Sequence, residues 1–60
     1  MITKEKFWIE DKGFCWDLYV YVPLMYSYYH VFRAPDRAGI VNYMTRRNLA
    51  GSVRESKAVA

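Results

Sequence analysis

Alternation of apolar and polar residues is clearest between positions 14 and 22. Phe14, Trp16, Leu18, Val20 and Val22 share one parity, and Cys15, Asp17, Tyr19 and Tyr21 share the other. A repeat of that kind marks a strand with one buried face. The segment from Glu5 to Glu10 follows the same rule, with Phe7 and Ile9 set between Lys6, Trp8 and Glu10. Asp11, Lys12 and Gly13 separate the runs, and glycine accepts a positive φ without steric cost. The pattern predicts a β-hairpin over residues 5–22. A tight Lys12-Gly13 loop pairs Ile9 with Trp16, Phe7 with Leu18, Trp8 with Asp17 and Lys6 with Tyr19. Slipping by one residue would set Lys6 opposite Leu18 on the apolar side, so the facing is strongly specified. The expected core face is Phe7, Ile9, Trp16, Leu18 and Val20. The expected outer face is Lys6, Trp8, Glu10, Asp17, Tyr19 and Tyr21.

Pro23 cannot donate to a ladder and ends the second run. Leu24 and Met25 make the connection. A third strand is predicted over Tyr26 to Arg33, rich in residues that favour sheets. Its facing stays open: either Tyr29 and Val31 point inward, or Tyr28, His30 and Phe32 do. Ala34-Pro35-Asp36 then opens a helix, with proline in the first turn and Asp36 near the positive end of the dipole. The helix is expected to reach about Ala50, with Gly51 as its C-cap. Ile40, Val41 and Met44 fall on one side, Tyr43 at the edge, and Asn42, Arg46 and Arg47 on the other. Ser52 and Glu55 have capping-box spacing, so the tail 52–60 reads as a short helix or a frayed end. The predicted fold is α+β, in the order β-β-β-α. A three-stranded antiparallel sheet packs one face on one C-terminal helix, in a single domain over 1–51.

Composition changes this picture in one respect. Six Tyr, three Phe and two Trp among 60 residues are more rings than so thin a core can hold. The sheet's second face has no element left to cover it, so part of this ring surface must lie open or in an interface. A chain of this size also buries only about 60% of its unfolded surface, and small unstapled scaffolds often gain stability from a partner or a second copy.

Candidate chemistry is sparse. One cysteine allows no internal disulfide, and an unpaired thiol fits a reducing cytoplasm. Cys15 and His30 supply a thiol and an imidazole, but the sequence indicates no third residue to orient them. One Cys, one His and scattered acids make no metal site. The three glycines are too widely spaced for a phosphate loop, and no cofactor is expected. Lys4, Glu5 and Lys6 precede any apolar run, so no signal peptide is read. Phe14 to Phe32 is long and nearly uncharged, but Asp17, Pro23, His30 and the tyrosines argue against a membrane span. These features exclude an enzyme and leave a binding role.

Two candidate surfaces follow. Trp8, Tyr19, Tyr21 and Tyr28, with Lys6 beside them, would form an aromatic partner-binding patch on the outer sheet face, since Tyr and Trp carry disproportionate interface energy. The second is a basic patch. Residues 1–30 carry a net −1 and residues 31–60 a net +4, the latter mostly from Arg33, Arg37, Arg46, Arg47 and Arg54. Arginines in that density suit phosphates or carboxylates.

The strand Phe7-Trp8-Ile9, the turn ending Gly13-Phe14, and Phe32-Arg33-Ala34 leading into a helix together span most of residues 7–50. In this layout the chain resembles the small arm-type DNA-binding domain at the front of some phage tyrosine recombinases, which packs three strands on one helix. The resemblance implies reading of a DNA major groove by basic and polar strand residues. The expected outer face here departs from that pattern, with rings, acids and Lys6 as its only base. In size the chain is also similar to the miniature proteins with which phages disable host machinery, which implies occupation of a larger host protein complex in the host cytoplasm. The expected function is therefore a small inhibitor or modulator that binds a larger protein through its aromatic face and basic helix. The alternative is a small DNA- or RNA-binding protein with helix arginines on phosphates. A homodimer through the ring face is a further expectation, and no membrane partner is expected.

Overall fold

The computed structural model describes residues 5–57. The elements are β1 (Glu5–Asp11), β2 (Trp16–Val22), a short 3-10 turn (Pro23–Met25), β3 (Ser27–Ala34), α1 (Arg37–Arg46) and β4 (Gly51–Lys57). The fold is α+β with one helix, as the sequence predicts. The sheet, however, has four strands in the order β3-β2-β1-β4, and the helix lies between strands rather than at the C-terminus. β4 runs parallel to β1, while the other pairs are antiparallel.

The β1–β2 hairpin keeps its expected faces with a different register. Ile9 stands opposite Leu18, Phe7 opposite Val20 and Trp8 opposite Tyr19. The connection is longer than the tight loop expected, and the pairing moves by two residues, which leaves every side chain on its own face. Three contacts and angles set this loop. The Lys12 amide donates to the Cys15 carbonyl at 2.9 Å, the Asp11 carboxylate accepts from the Gly13 amide at 2.9 Å, and Gly13 has φ +90°. Phe14, placed by parity on the core face, is a loop residue 78% exposed.

The open facing of β3 resolves through a bulge. Leu18 pairs with Phe32, but Tyr19 pairs with His30, so Val31 is the extra residue. Parity therefore changes within the strand. Tyr28 and His30 share the outer side with Tyr19 and Tyr21, whereas Phe32 turns inward and stacks on Tyr43 with centroids 4.1 Å apart. Val31 also packs against the core. Neither regular alternative describes the strand.

α1 starts one step later than expected. Asp36 is the N-cap, its carboxylate accepting from the Gly39 amide at 2.8 Å, and Pro35 precedes it. The helix stops at Arg46, well short of Ala50. The amides of Arg47, Asn48 and Leu49 close on the carbonyls of Tyr43, Thr45 and Met44, and Asn48 takes the left-handed conformation expected of a glycine cap, with φ +55°. Gly51 has a different task. A Cβ there would overlap the Glu5 carbonyl, so glycine allows β4 to meet β1. The tail from Gly51 to Lys57 is thus a strand and not a helix or frayed end. It pairs the side of β1 that would otherwise be an open edge. The remainder of the tail, residues 58–60, lies outside the described residues.

Ile40 and Met44 of α1 close on Phe7, Ile9, Leu18 and Ala34 to form the core, with Trp16, Val20, Phe32, Tyr43 and Leu49 packed around it. Gly39 lets the helix approach β3, since a Cβ there would sit 2.7 Å from that of Ala34. All of this lies on one side of the sheet. No helix among the described residues is long and apolar enough to cross a membrane.

Candidate interaction face on the open side of the sheet

The pairing fixes which side chains stand side by side on the uncovered face. Across the sheet from β3 to β4 one row reads Tyr28, Tyr21, Lys6 and Ser52, the next His30, Tyr19, Trp8 and Arg54, and the third Arg33, Asp17, Glu10 and Ser56. The aromatic residues expected on this face, Trp8, Tyr19, Tyr21 and Tyr28, stand together with Lys6. Trp8 is 5.1 Å from Tyr19 and 5.5 Å from Tyr28, and Tyr21 is 5.2 Å from Tyr28. Lys6 sits over the Tyr21 ring at 5.5 Å. Most of the ring contacts are edge-on, the geometry favoured by the aromatic quadrupole. The four rings are half-buried by one another.

Trp8 is fixed further by β4, as its indole N–H donates to the Ser56 hydroxyl at 2.7 Å. Beside it, Trp8, Tyr28, Arg54 and Ser56 line a depression of about 240 Å³.

Asp17 holds the third row. It is fully buried on a face that no helix covers. Its Oδ1 accepts from Arg33 Nε at 2.8 Å and meets His30 Nε2 at 2.9 Å, and Oδ2 accepts from Arg33 at 3.3 Å. Lys12 Nζ is 3.5 Å away and also reaches Glu10 at 3.4 Å. The Arg33 guanidinium lowers the Asp17 pKa to about 2, aided by His30 and opposed by burial. His30 in turn meets Tyr19 edge-on at 5.4 Å. The carboxylate thus anchors the edge of the ring cluster.

The arginines expected in one basic patch occupy three places. Arg33 and Arg54 belong to the sheet face, so Lys6 is not its only base. Arg37 pairs with Glu55 through contacts of 2.6 and 3.1 Å, linking the start of α1 to β4. This pair lowers the Glu55 pKa. Arg46 and Arg47 lie at the far end of α1.

Sequence reasoning placed Asp17 on this face but missed its role as a buried anchor, left the facing of His30 open, and did not place Arg54 on the sheet. Asp17 carried a signal: it is the only charged residue between Phe14 and Phe32, and Arg33 is the first cation after that run. Arg54 carried none, because its place depends on β4. Asp17 also supplies the orienting partner for His30 that the sequence did not indicate. The Cys15 thiol is buried in the β1–β2 loop, and the hydrogen bond of His30 runs to Asp17.

No family model matches this chain, and no curated protein or solved structure matches it.

Proposed function

We propose that the chain is a small non-enzymatic binding protein that docks its open sheet face on a larger protein and modulates it by occupying that surface. The observation that carries this reading is the packing of Trp8, Tyr19, Tyr21 and Tyr28 into one half-buried cluster, edge-on where Tyr28 meets Trp8 and Tyr21 and tilted where Trp8 meets Tyr19. Such rings are ordered before binding, so little side-chain entropy remains to be lost. Neighbouring edges occupy much of their π surface, which favours a protein partner over stacked bases. Tyrosine, tryptophan and arginine are also the residues that concentrate binding energy.

Charge indicates the partner's chemistry. Among the described residues Lys6 and Arg54 have no carboxylate partner, while Asp17 and Glu10 are already engaged. The face therefore suits an acidic surface with an apolar centre. The face carries Lys6, Lys12, Arg33 and Arg54 against Glu10 and Asp17, so a second copy laid on it would bring the same excess of positive charge, which disfavours the homodimer. Rim cations and a net charge of +3 would chiefly raise the association rate.

A second reading has one observation in its favour: Lys6, Arg33 and Arg54 share a face with three tyrosine side chains. That array is more basic than the outer face expected from sequence and suits a nucleic-acid backbone.

Quantitative capture from lysate, with and without nuclease, separates the readings. The full chain should retain a protein that Arg54→Glu and Tyr19→Ala lose, while Val41→Ser, on the exposed side of α1, retains it. Equal retention by all variants would remove the sheet face from the account. Retention abolished by nuclease, with a steep loss as salt rises, would establish the second reading instead.

A further inference from the structure

We propose that the cleft between the end of α1 and the end of β3 is a binding site for a phosphate group. It lies on the helix side of the sheet; Arg33 also borders it, but its guanidinium is engaged by Asp17, so the site does not depend on the reading of the open face. The cleft measures about 490 Å³, with Asn42, Arg46 and Arg47 among its lining residues and Phe32 and Tyr43 as an aromatic wall.

Three observations make it a site for an anion. First, neither Arg46 nor Arg47 is neutralised. Among the described residues no carboxylate pairs with either. The terminal helix carbonyls, which arginines often serve, already accept from the amides of Arg47, Asn48 and Leu49. Second, the cleft lining contains no carboxylate. The nearby acids are committed elsewhere, Asp36 to the Gly39 amide and Glu55 to Arg37. Third, one guanidinium is already ordered. Arg47 lies 5.1 Å from the Tyr43 ring, and Tyr43 stacks on Phe32 with an interplanar angle of 10°. This Phe32–Tyr43–Arg47 column reduces the entropy lost when the arginine engages a ligand.

The chemistry selects phosphate. Each guanidinium presents a planar fork that matches two phosphate oxygens, and two such charges balance a dianion. The Asn42 amide can donate to a further oxygen. The negative end of the helix dipole opposes an anion here, but the Tyr43, Met44 and Thr45 carbonyls are capped and two full charges outweigh it. The cleft is also larger than a phosphate. Free phosphate and the phosphate of a mononucleotide are thus two sources of the same group.

Amide NMR titration of the full chain tests the site. Inorganic phosphate and then adenosine monophosphate are added at ionic strength held constant with chloride. Saturable shifts are expected at Asn42, Tyr43, Arg46 and Arg47. Arg46→Gln and Arg47→Gln should each weaken binding by about tenfold or more, the loss expected for one charge-assisted contact. Arg54→Gln, on the opposite side of the sheet, should bind as the parent does. All three side chains are exposed, and the amide spectrum reports whether each variant is folded. Tighter binding of the nucleotide assigns the site to a phosphate monoester, and equal or weaker binding assigns it to free phosphate. Shifts that never saturate, or an Arg46→Gln/Arg47→Gln double variant that titrates like the parent, would overturn the proposal.

Discussion

The two faces of the sheet are shielded from water by different means. On the inner face, Phe7, Ile9 and Leu18 are each at most 2% exposed, and Ile40 and Met44 of α1 pack against them. On the outer face nothing is laid over the strands, yet Trp8, Tyr19, Tyr21 and Tyr28 are only half-exposed and Asp17 is fully buried. Long side chains lean on one another there and cover the backbone themselves. A helix lid removes apolar surface from water completely and makes stability. A self-covering layer of rings leaves hydroxyls and cations pointing outward and remains available to a partner. A thin sheet can thus assign stability to one side and recognition to the other.

That division can be broken most sharply at β2, which contributes to both faces. Leu18→Ala should cost about 2–5 kcal/mol, since it opens a cavity in the middle of the core. Stability in so small a domain is only about 3–5 kcal/mol, so this variant should be largely unfolded in a circular dichroism melt. Tyr21→Ala, on the same strand but the other face, should lose much less and still melt cooperatively. Equal losses would mean that the outer rings are as much a core as the inner face.

A smaller effect should come from Asp17, which joins the faces chemically by being a charge buried on the open side. Its folded pKa of about 2 lies well below the ordinary aspartate value of 3.8. The ionised form is therefore favoured by folding. The contribution is fully present above the ordinary carboxylate range and is lost as pH falls from about 4 through about 2. Asp17→Asn should lower stability at neutral pH by on the order of 2 kcal/mol. The gap between parent and variant should close toward pH 2 in denaturant titrations. A gap independent of pH would mean that shape, rather than charge, holds Arg33 and His30.

Much of the inner face was legible in the sequence, because parity is enforced wherever one side must be apolar. Phe7, Ile9 and Leu18 could be placed from their spacing alone. Register was less legible: the Asp11 side chain and the Gly13 φ shape a longer loop, and a shift of two residues leaves the hydrophobic pattern unchanged. β3 could not be resolved by parity because the bulge at Val31 changes parity within the strand. β4 was hidden for a different reason. Val53 is the one large apolar residue in Gly51–Lys57, and it is 46% exposed. This strand exists by pairing with β1 and carries almost no hydrophobic pattern. With β4 hidden, Arg54 could not be assigned to the face.

If the ring cluster is the surface a protein partner covers, binding must shield those four side chains from solvent. Hydroxyl-radical footprinting, with the free chain and the captured complex compared by mass spectrometry, tests it most directly. In the free chain Trp8, Tyr19, Tyr21 and Tyr28 should all be labelled, as should Phe14 and Tyr26 in the two connecting turns. In the complex the account predicts strong protection of the four sheet rings, with Phe14 and Tyr26 labelled as before. Protection of the turns or of α1, with the sheet rings still labelled as in the free chain, would contradict it.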